Sequence, residues 1–237
     1  MTRASSRRVR VSRRVLTLLL LLLLGLTCVG CGMRNLARTI GEGNGELRAS
    51  VGGPIFSNLG VPMPLPNLQI GGRYGLTEGF DVDGDISLLG LGYGIVAFNA
   101  GAVGQIYRVE RGIAISVSGR GHVLIATRGP DLRFFPELGL HIEGPATPWL
   151  TVYGGLAGLV QFAPPPGKPP ILLAPHVGGE VRFGGGGERP HRSGFVVEIG
   201  WINPWQDSAS VVSWEPAGFG ALYLHLGVRT RFGEVVP

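Results

Sequence analysis

The sequence predicts an all-β protein: a closed, antiparallel, up-and-down transmembrane barrel of about ten strands, within a range of eight to twelve. Apolar and polar residues alternate along most of the chain after residue 45, and alternate side chains of a strand point to opposite faces. Charged residues make up 16% of the 237 residues, whereas soluble domains carry about 25%. No segment after Leu26 repeats with the period of a long helix, so strands are expected throughout.

The first thirty residues have the composition of an export signal. They hold six arginines and no acidic residue, and a leucine-rich run from Val15 to Leu26 follows. This run is shorter than the roughly 20 apolar residues that a membrane-spanning helix needs, although a transmembrane anchor is the alternative. We therefore expect a signal peptide at 1–30, an N-terminal tether at 31–45 and a single barrel at 46–237.

The segment Cys28-Val29-Gly30-Cys31-Gly32 resembles the cleavage box of bacterial lipoproteins. That family usually has Leu where this chain has Cys28. The resemblance implies that Cys31 becomes a lipidated N-terminus, and Gly32 replaces the aspartate that retains lipoproteins at the inner membrane. Cleavage nearby without acylation is the alternative. No cysteine follows Cys31, which excludes a disulfide framework and a cysteine-based metal site.

The positive charge of the chain belongs to the predicted signal peptide. The net charge is +5, from 21 basic and 16 acidic residues. Without the six arginines of the first thirty residues, 15 basic residues stand against 16 acidic ones, which leaves −1. The high isoelectric point is therefore no sign of a nucleic-acid partner, which needs a basic face on the folded domain.

Ten strand-like runs, separated by Gly- and Pro-rich breaks, follow one another along the chain. They are 46–53, 67–75, 79–91, 95–106, 112–126, 132–143, 149–162, 171–183, 194–202 and 219–232. The third run shows the two faces most clearly, with Phe80, Val82, Ile86 and Leu88 on one face and Asp81, Asp83 and Asp85 on the other. In the fourth run, both faces are small and apolar.

A membrane barrel explains these faces better than a soluble barrel, because the polar faces carry too few charges to cover an exterior in water. In lipid, every backbone donor and acceptor must be paired internally, so a strand protein has to close on itself. Aromatic residues lie near predicted strand ends, among them Tyr107, Trp149 and Phe183. They are either interfacial belts or aromatics that simply favour strands.

The run Arg73-Tyr74-Gly75-Leu76-Thr77-Glu78-Gly79-Phe80-Asp81-Val82 resembles a hairpin of Gram-negative outer-membrane β-barrel proteins. There, such residues close a short periplasmic turn. The long connections 54–66, 163–170 and 203–218 would then face outward. The resemblance implies an outer-membrane location, with lipid and the barrel-insertion machinery as partners. The family's last strand usually ends the chain on Phe, whereas here Phe232 precedes five more residues.

The polar faces collect the charged residues that we expect inside the barrel as a lumen-facing network. With Arg48, they are Arg73, Asp81, Asp83, Asp85, Arg120, His122, Arg133, Glu137, His141, His176, Glu180, Arg182, Glu198, His225, Arg229 and Arg231. Both signs occur in similar numbers. The network either fills the lumen with paired charges or lines a path through it.

The sequence thus predicts a small pore, transport barrel or structural membrane protein. A lipid-tethered soluble lipid-binding barrel, with its apolar face inside, is the alternative, and an outer-membrane barrel enzyme is a weaker one. No catalytic motif is present, and Asp81-x-Asp83-x-Asp85 lacks the later ligands of a calcium loop. We expect no catalytic residue, no metal and no cofactor, and the sequence leaves the oligomeric state open.

Overall fold

The computed structural model is built almost entirely of strands. It describes residues 33–34, 36–58, 61–64, 67–88, 95–126, 132–162, 164, 166–184, 192–207 and 219–233. The expected signal peptide and Cys31 lie outside these residues. The strands are β1 (Gly45–Asn58), β2 (Val61–Pro64), β3 (Asn67–Thr77), β4 (Phe80–Ser87), β5 (Ile95–Arg108), β6 (Ala114–Ala126), β7 (Leu132–Pro145), β8 (Leu150–Val160), β9 (Ile171–Phe183), β10 (Ser193–Asp207) and β11 (Phe219–Phe232). No helix in the described part of the chain has the length and apolar character needed to cross a membrane.

Ten of the eleven strands form a closed ring. From β3 to β11, each strand pairs antiparallel with the next one in the chain, and β1 pairs with both β3 and β11. The closing pair sets Gly45 opposite Phe232 and Ala49 opposite Val228. The short strand β2 pairs with the end of β1, from Ile55 to Asn58, outside the ring. The predicted antiparallel barrel of about ten strands is confirmed.

The two ends of the barrel have different connections. At one end, the turn end, two residues join β3 to β4 and four join β7 to β8, and β1 starts beside the end of β11. At the other end, the loop end, ten residues join β8 to β9 and eleven join β10 to β11. Outer-membrane barrels have short turns on the periplasmic side and long loops outside, so we expect the turn end on the periplasmic side. The asymmetry is not complete, because nine residues join β9 to β10 at the turn end.

The outer wall is apolar and the interior is polar. Leu138 is 75% exposed and Ile106 is 65% exposed, whereas Asp81 and Glu198 are fully buried. Soluble monomers rarely expose contiguous apolar patches larger than a few hundred Å², so a wall of this kind requires lipid around it. The chain is therefore a membrane-spanning β-barrel. A soluble barrel with an apolar cavity is excluded as an interpretation, because it needs the opposite placement.

Exposed aromatic side chains lie at both ends of the wall. Tyr74, Phe80, Tyr107, Trp149, Phe183 and Phe232 mark the turn end, and Phe134, Phe162, Trp201, Trp205 and Phe219 mark the loop end. The rings of Phe134 and Phe162 stack with centroids 6.4 Å apart. The Trp201 indole donates a hydrogen bond of 2.7 Å to the carbonyl of Phe219. This arrangement is that of two interfacial belts.

A bulge in β10 explains why this strand continues beyond its predicted end at residue 202. The pairing with β11 shifts register between Ile202 and Asp207, and Asn203 has a φ of 45°, a conformation that Asn tolerates better than most residues. Its side chain is buried and accepts a hydrogen bond of 2.6 Å from the amide of Leu173. The bulge thereby ties the loop end of β10 to β9.

The N-terminal segment lies inside the barrel. Residues 41–44 form a turn at the turn end, where Gly41 and Gly43 take positive φ values of 86° and 72°, which glycine adopts without strain. This turn is bonded to β3 through the amide of Gly43 and the carbonyl of Gly75, 3.0 Å apart. The described residues between 33 and 40, here called the plug, therefore turn back into the lumen, although the sequence suggested only a tether.

Candidate functional site

Most of the charged residues that the sequence placed on the polar faces are enclosed by the barrel. Those that are buried are Arg73, Asp81, Asp83, Asp85, Arg120, His122, Glu137, His141, His176, Glu180, Glu198, His225 and Arg229. Arg182 and Arg231 are half-buried near the turn end. The expectation is wrong for Arg133, which is exposed. It lies at the start of β7, at the loop-end rim, where the ring no longer encloses its inward-pointing side chains.

An ion cluster links three strands in the middle of the lumen. Arg48 of β1 donates to Asp83 and to Asp85 of β4, each at 2.6 Å. Arg120 of β6 also contacts Asp83 and lies 3.8 Å from Asp85. Both aspartates point inward because they are two residues apart on one strand. We call these four residues the central ion cluster; two arginines and two aspartates balance in charge.

A second set of ion pairs joins the first and last parts of the barrel at the turn end. Glu46 of β1 accepts a hydrogen bond of 2.9 Å from Arg231 and lies 3.4 Å from the Arg229 guanidinium. Arg229 in turn donates to Glu180 of β9 at 2.7 Å. These contacts cross the β1–β11 seam where the ring closes. Ion pairs therefore stabilise the closure in addition to the backbone hydrogen bonds between the two strands.

Arg34 carries the plug into the centre of the lumen. Its guanidinium donates to Glu137 of β7 at 2.8 Å and to the Tyr223 hydroxyl of β11 at 2.9 Å. Its backbone amide donates to Glu198 of β10 at 2.8 Å. Arg34 is only 2% exposed. One side chain thus spans the interior from β7 to β11.

The rest of the plug is held by wall side chains. The carbonyl of Leu36 accepts from Ser116 at 2.9 Å, Arg38 donates to Glu143 at 3.0 Å, and the amide of Ile40 donates to Asp81 at 3.0 Å. Leu36 is fully buried. These backbone groups are bonded to wall side chains, so the plug forms no strand of the barrel.

Two tyrosines complete the surroundings of Glu198. The Tyr153 hydroxyl of β8 donates to this carboxylate at 3.0 Å, and the Tyr223 hydroxyl lies 3.5 Å from its other oxygen. Tyr153 stands opposite Gly178, and Tyr223 stands opposite Gly200. A Cβ atom at either glycine would overlap the tyrosine ring. Glycine is needed there so that each ring can lie flat across the neighbouring strand.

The described surroundings of His141 lack one member of a catalytic triad. Ser118 is within 2.8 Å of His141 Nε2, which resembles a nucleophile and its base. However, His141 Nδ1 has no hydrogen-bond partner among the described residues, so the acid that orients such a base is missing. Both side chains are almost fully buried, out of reach of a substrate. The described part of the chain contains no group of three ligating side chains that could hold a metal.

An apolar cluster occupies the loop-end half of the lumen. Leu159, Leu172, Ala174, Ile202 and Ala221 are buried there with Tyr223, and Phe135 packs against them. These residues continue the inward-facing rows of β8 to β11 above the charged residues. The inward face of β8 to β11 is therefore polar only in its turn-end part. Sequence alternation alone did not predict this change of polarity along the strands.

Sequence reasoning missed several residues that build the site. Arg34 and Arg38 lie in the segment expected to be a tether, and Glu143 and Tyr153 were not among the expected lumen residues. Glu143 was detectable, because it follows His141 by two positions on the same strand and therefore shares its face. Two arginines four residues apart in a segment without strand pattern were the only trace of the plug.

Comparison with known proteins finds similarity in architecture only. No protein-family model matches the chain, and no curated protein matches it. Among solved structures, the NanC porin is similar over 78% of this chain and 98% of its own, with 5% identity and a TM-score of 0.45. OmpT of Vibrio cholerae is similar over 80% and 96%, with 8% identity and a TM-score of 0.34. A FadL homologue of Pseudomonas aeruginosa is similar over 73% of this chain and 53% of its own, with 10% identity and a TM-score of 0.35. These similarities are too remote to indicate what this chain binds or transports.

Proposed function

We propose that this chain is an exported protein of a bacterial outer membrane, and that its barrel is a small pore closed by its own N-terminal segment. The observation that carries the proposal is Arg34, which bridges Glu137, Glu198 and Tyr223 across the lumen. The apolar wall, the two aromatic belts and the predicted signal peptide support the location.

The size of the ring supports a pore that one peptide segment can close. Barrels of eight strands have interiors that side chains fill, whereas those of 16–18 strands leave an aqueous channel. A ring of ten strands is only slightly larger than the eight-stranded barrels whose interiors are filled by side chains. The plug takes up the remaining space in the turn-end half. Its departure would leave a polar passage about as wide as a peptide chain through the turn-end half, and an open pore also requires the apolar cluster of the loop-end half to move aside.

The way in which the plug is held makes its departure feasible. Its polar contacts are hydrogen bonds and ion pairs, most of them to wall side chains, such as Ser116 to Leu36 and Arg38 to Glu143. The larger apolar side chains that it buries, among its described residues, are those of Met33 and Leu36. None of the ladders that close the ring includes it. The barrel can therefore keep its strand pairing when the plug leaves, and the wall carboxylates can be hydrated by the water that enters.

The test is planar-bilayer conductance of four forms of the refolded chain, one of which is a control. A chain starting at Met33 should be silent, a chain starting at Gly41 should give sustained current steps, and Arg34→Gln in the longer chain should give brief openings. Arg133→Gln removes the same charge at the exposed loop-end rim and should stay silent. Heat-modifiable gel migration would verify that each form is folded. A folded but silent chain starting at Gly41 would overturn the pore in favour of a purely structural barrel.

The plug also bears on the expected acylation of Cys31. Met33 is 5% exposed and packs with Tyr153 and Val196 inside the barrel. Two residues span about 7 Å at most, so drawing the plug out would move acyl chains on Cys31 towards the surrounding lipid. We propose that acylation at Cys31 belongs to the open form, and that cleavage without acylation leaves the closed one.

The mass of the protein extracted from outer membranes tests this assignment. A chain that starts at Cys31 and carries acyl groups should conduct without any truncation. An unmodified N-terminus near residue 31 should accompany a silent barrel. An acylated chain that is nevertheless silent would contradict the link between acylation and opening.

A further inference from the structure

A cavity of about 270 Å³ opens at the turn end, between the plug and the wall. Its lining is dominated by guanidinium groups: seven arginines face it, against the three carboxylates of Glu110, Glu143 and Glu180. Glu46, which is bonded to Arg229 and Arg231, brings the acids to four. The mouth therefore carries an excess of about three positive charges, in contrast to the charge balance of the central ion cluster.

Four of these arginines are paired with three carboxylates of the wall. Arg38 is bonded to Glu143, Arg229 to Glu180 and Glu46, and Arg231 to Glu46. Arg182 lies 3.7 Å from Glu180 and 3.9 Å from Glu143. These contacts fix the guanidiniums in position before any ligand arrives, and such preorganisation raises affinity because less side-chain freedom is lost on binding.

The other three, Arg108, Arg111 and Arg192, make no ion pair with a described carboxylate. Arg108 is the last residue of β5, Arg111 lies in the connection between β5 and β6, and Arg192 lies just before β10, where its carbonyl accepts a hydrogen bond of 2.8 Å from the amide of Arg231. Arg111 has a φ of 55°, a left-handed conformation that residues other than glycine seldom adopt. Three arginines without an ion pair to a described carboxylate therefore face one cavity, two from the end of β5 and the connection after it and one from the residue before β10.

We propose that this cavity binds a small anion that bears one or two phosphate groups. Guanidinium groups match phosphate oxygens in pairs of parallel hydrogen bonds. Three guanidinium groups without an ion pair to a described carboxylate suit a multiply charged group better than a single carboxylate. The cavity is slightly smaller than the 300–1,000 Å³ typical of small-molecule sites, which favours a compact ligand. The phosphate can be that of a soluble molecule or that of a lipid headgroup of the adjacent leaflet.

The plug forms one side of this site. Arg38 donates both to Glu143 and to the carbonyl of Gly112, at 3.0 and 2.7 Å, and so ties the plug to the connection that follows Arg108 and carries Arg111. An anion bound there contacts the plug and the wall together. Binding itself does not require the plug to move, so the site does not depend on the proposed pore.

Calorimetric titration of the folded chain in a non-ionic detergent tests the site, with inorganic pyrophosphate as the probe. One saturable site per chain is expected. Arg108→Gln, Arg111→Gln and Arg192→Gln should each weaken binding about tenfold, as expected for the loss of one charge-assisted contact. Arg133→Gln, which removes an arginine at the opposite end, should bind as the unmodified chain does.

A second titration with short-chain phosphatidic acid separates the two sources of phosphate. Tighter binding of the lipid, with displacement of pyrophosphate, assigns the site to a headgroup, and weaker or absent lipid binding assigns it to a soluble ligand. The proposal is overturned if neither probe gives saturable binding. It is also overturned if the three variants lose no more affinity than Arg133→Gln does.

Discussion

Replacing Asp83 with asparagine should lower the free energy of unfolding by about 3–5 kcal/mol, the cost of removing one partner from a buried ion pair. Asp83 receives hydrogen bonds from both Arg48 and Arg120. In its absence, Asp85 alone faces two guanidiniums that are almost fully enclosed. The side chain keeps its size, so the loss reflects charge and not packing. Urea unfolding in lipid vesicles, followed by tryptophan fluorescence, measures it.

Two comparisons show whether burial is the cause. Glu42→Gln makes the same chemical change at an exposed residue and should alter the free energy by no more than about 0.5 kcal/mol. Combining Asp83→Asn with Arg120→Met restores the charge balance of the central ion cluster. The double variant should therefore lose less than the sum of the two single losses. If Asp83→Asn costs no more than Glu42→Gln, the lumen screens charges as bulk water does, and the central ion cluster adds little stability.

The wall of the barrel was predictable because lipid imposes a simple rule on every strand. The apolar residues of β4 and β6, such as Val82 and Val117, and their polar neighbours, such as Asp83 and Ser118, follow the alternation that decides which face a residue is on. Two-residue periodicity needs no knowledge of partners. It therefore predicts the fold class and most of the enclosed charges from the sequence alone.

The plug was not predictable in the same way. The sequence of residues 33–40 has no period, because a segment inside a lumen contacts wall side chains on all sides. Its position depends on Arg34 meeting Glu137, Glu198 and Tyr223, which come from three strands far apart in sequence. Alternation gives the face of each of these residues but not the height at which it lies along the barrel axis, which is set by the register between strands.

The apolar cluster at the loop end shows a second limit of alternation. Leu159, Leu172 and Ile202 are inward-facing, yet each has apolar outward neighbours, so both faces of these strand ends are apolar. A period-two signal disappears where both faces have the same polarity. The inward face of such a strand end can be inferred only by continuing the alternation from the charged part of the same strand, for example from Glu198 to Ile202.

Replacing Gly200 with alanine should lower the free energy of unfolding by about 3 kcal/mol, at the upper end of the cost of overpacking a buried site. The added methyl group would overlap the Tyr223 ring, which lies across Gly200 from the neighbouring strand. Tyr223 is fully buried and holds Arg34 and Glu198 through its hydroxyl. Its ring cannot yield without losing these hydrogen bonds, so a single methyl group affects both packing and the plug.

A matched glycine and a compensating variant separate this effect from the ordinary cost of changing a strand glycine. At Gly104, a Cβ atom would have Phe80 as its nearest neighbour, at 4.0 Å, so Gly104→Ala should be close to neutral. The Tyr223→Leu variant lacks the ring. Adding Gly200→Ala to this variant should lower the free energy of unfolding by less than about 1 kcal/mol. An equal cost of Gly200→Ala with and without the tyrosine would show that the strain lies in the backbone of β10. The requirement for glycine at this position would then not come from contact with the Tyr223 ring.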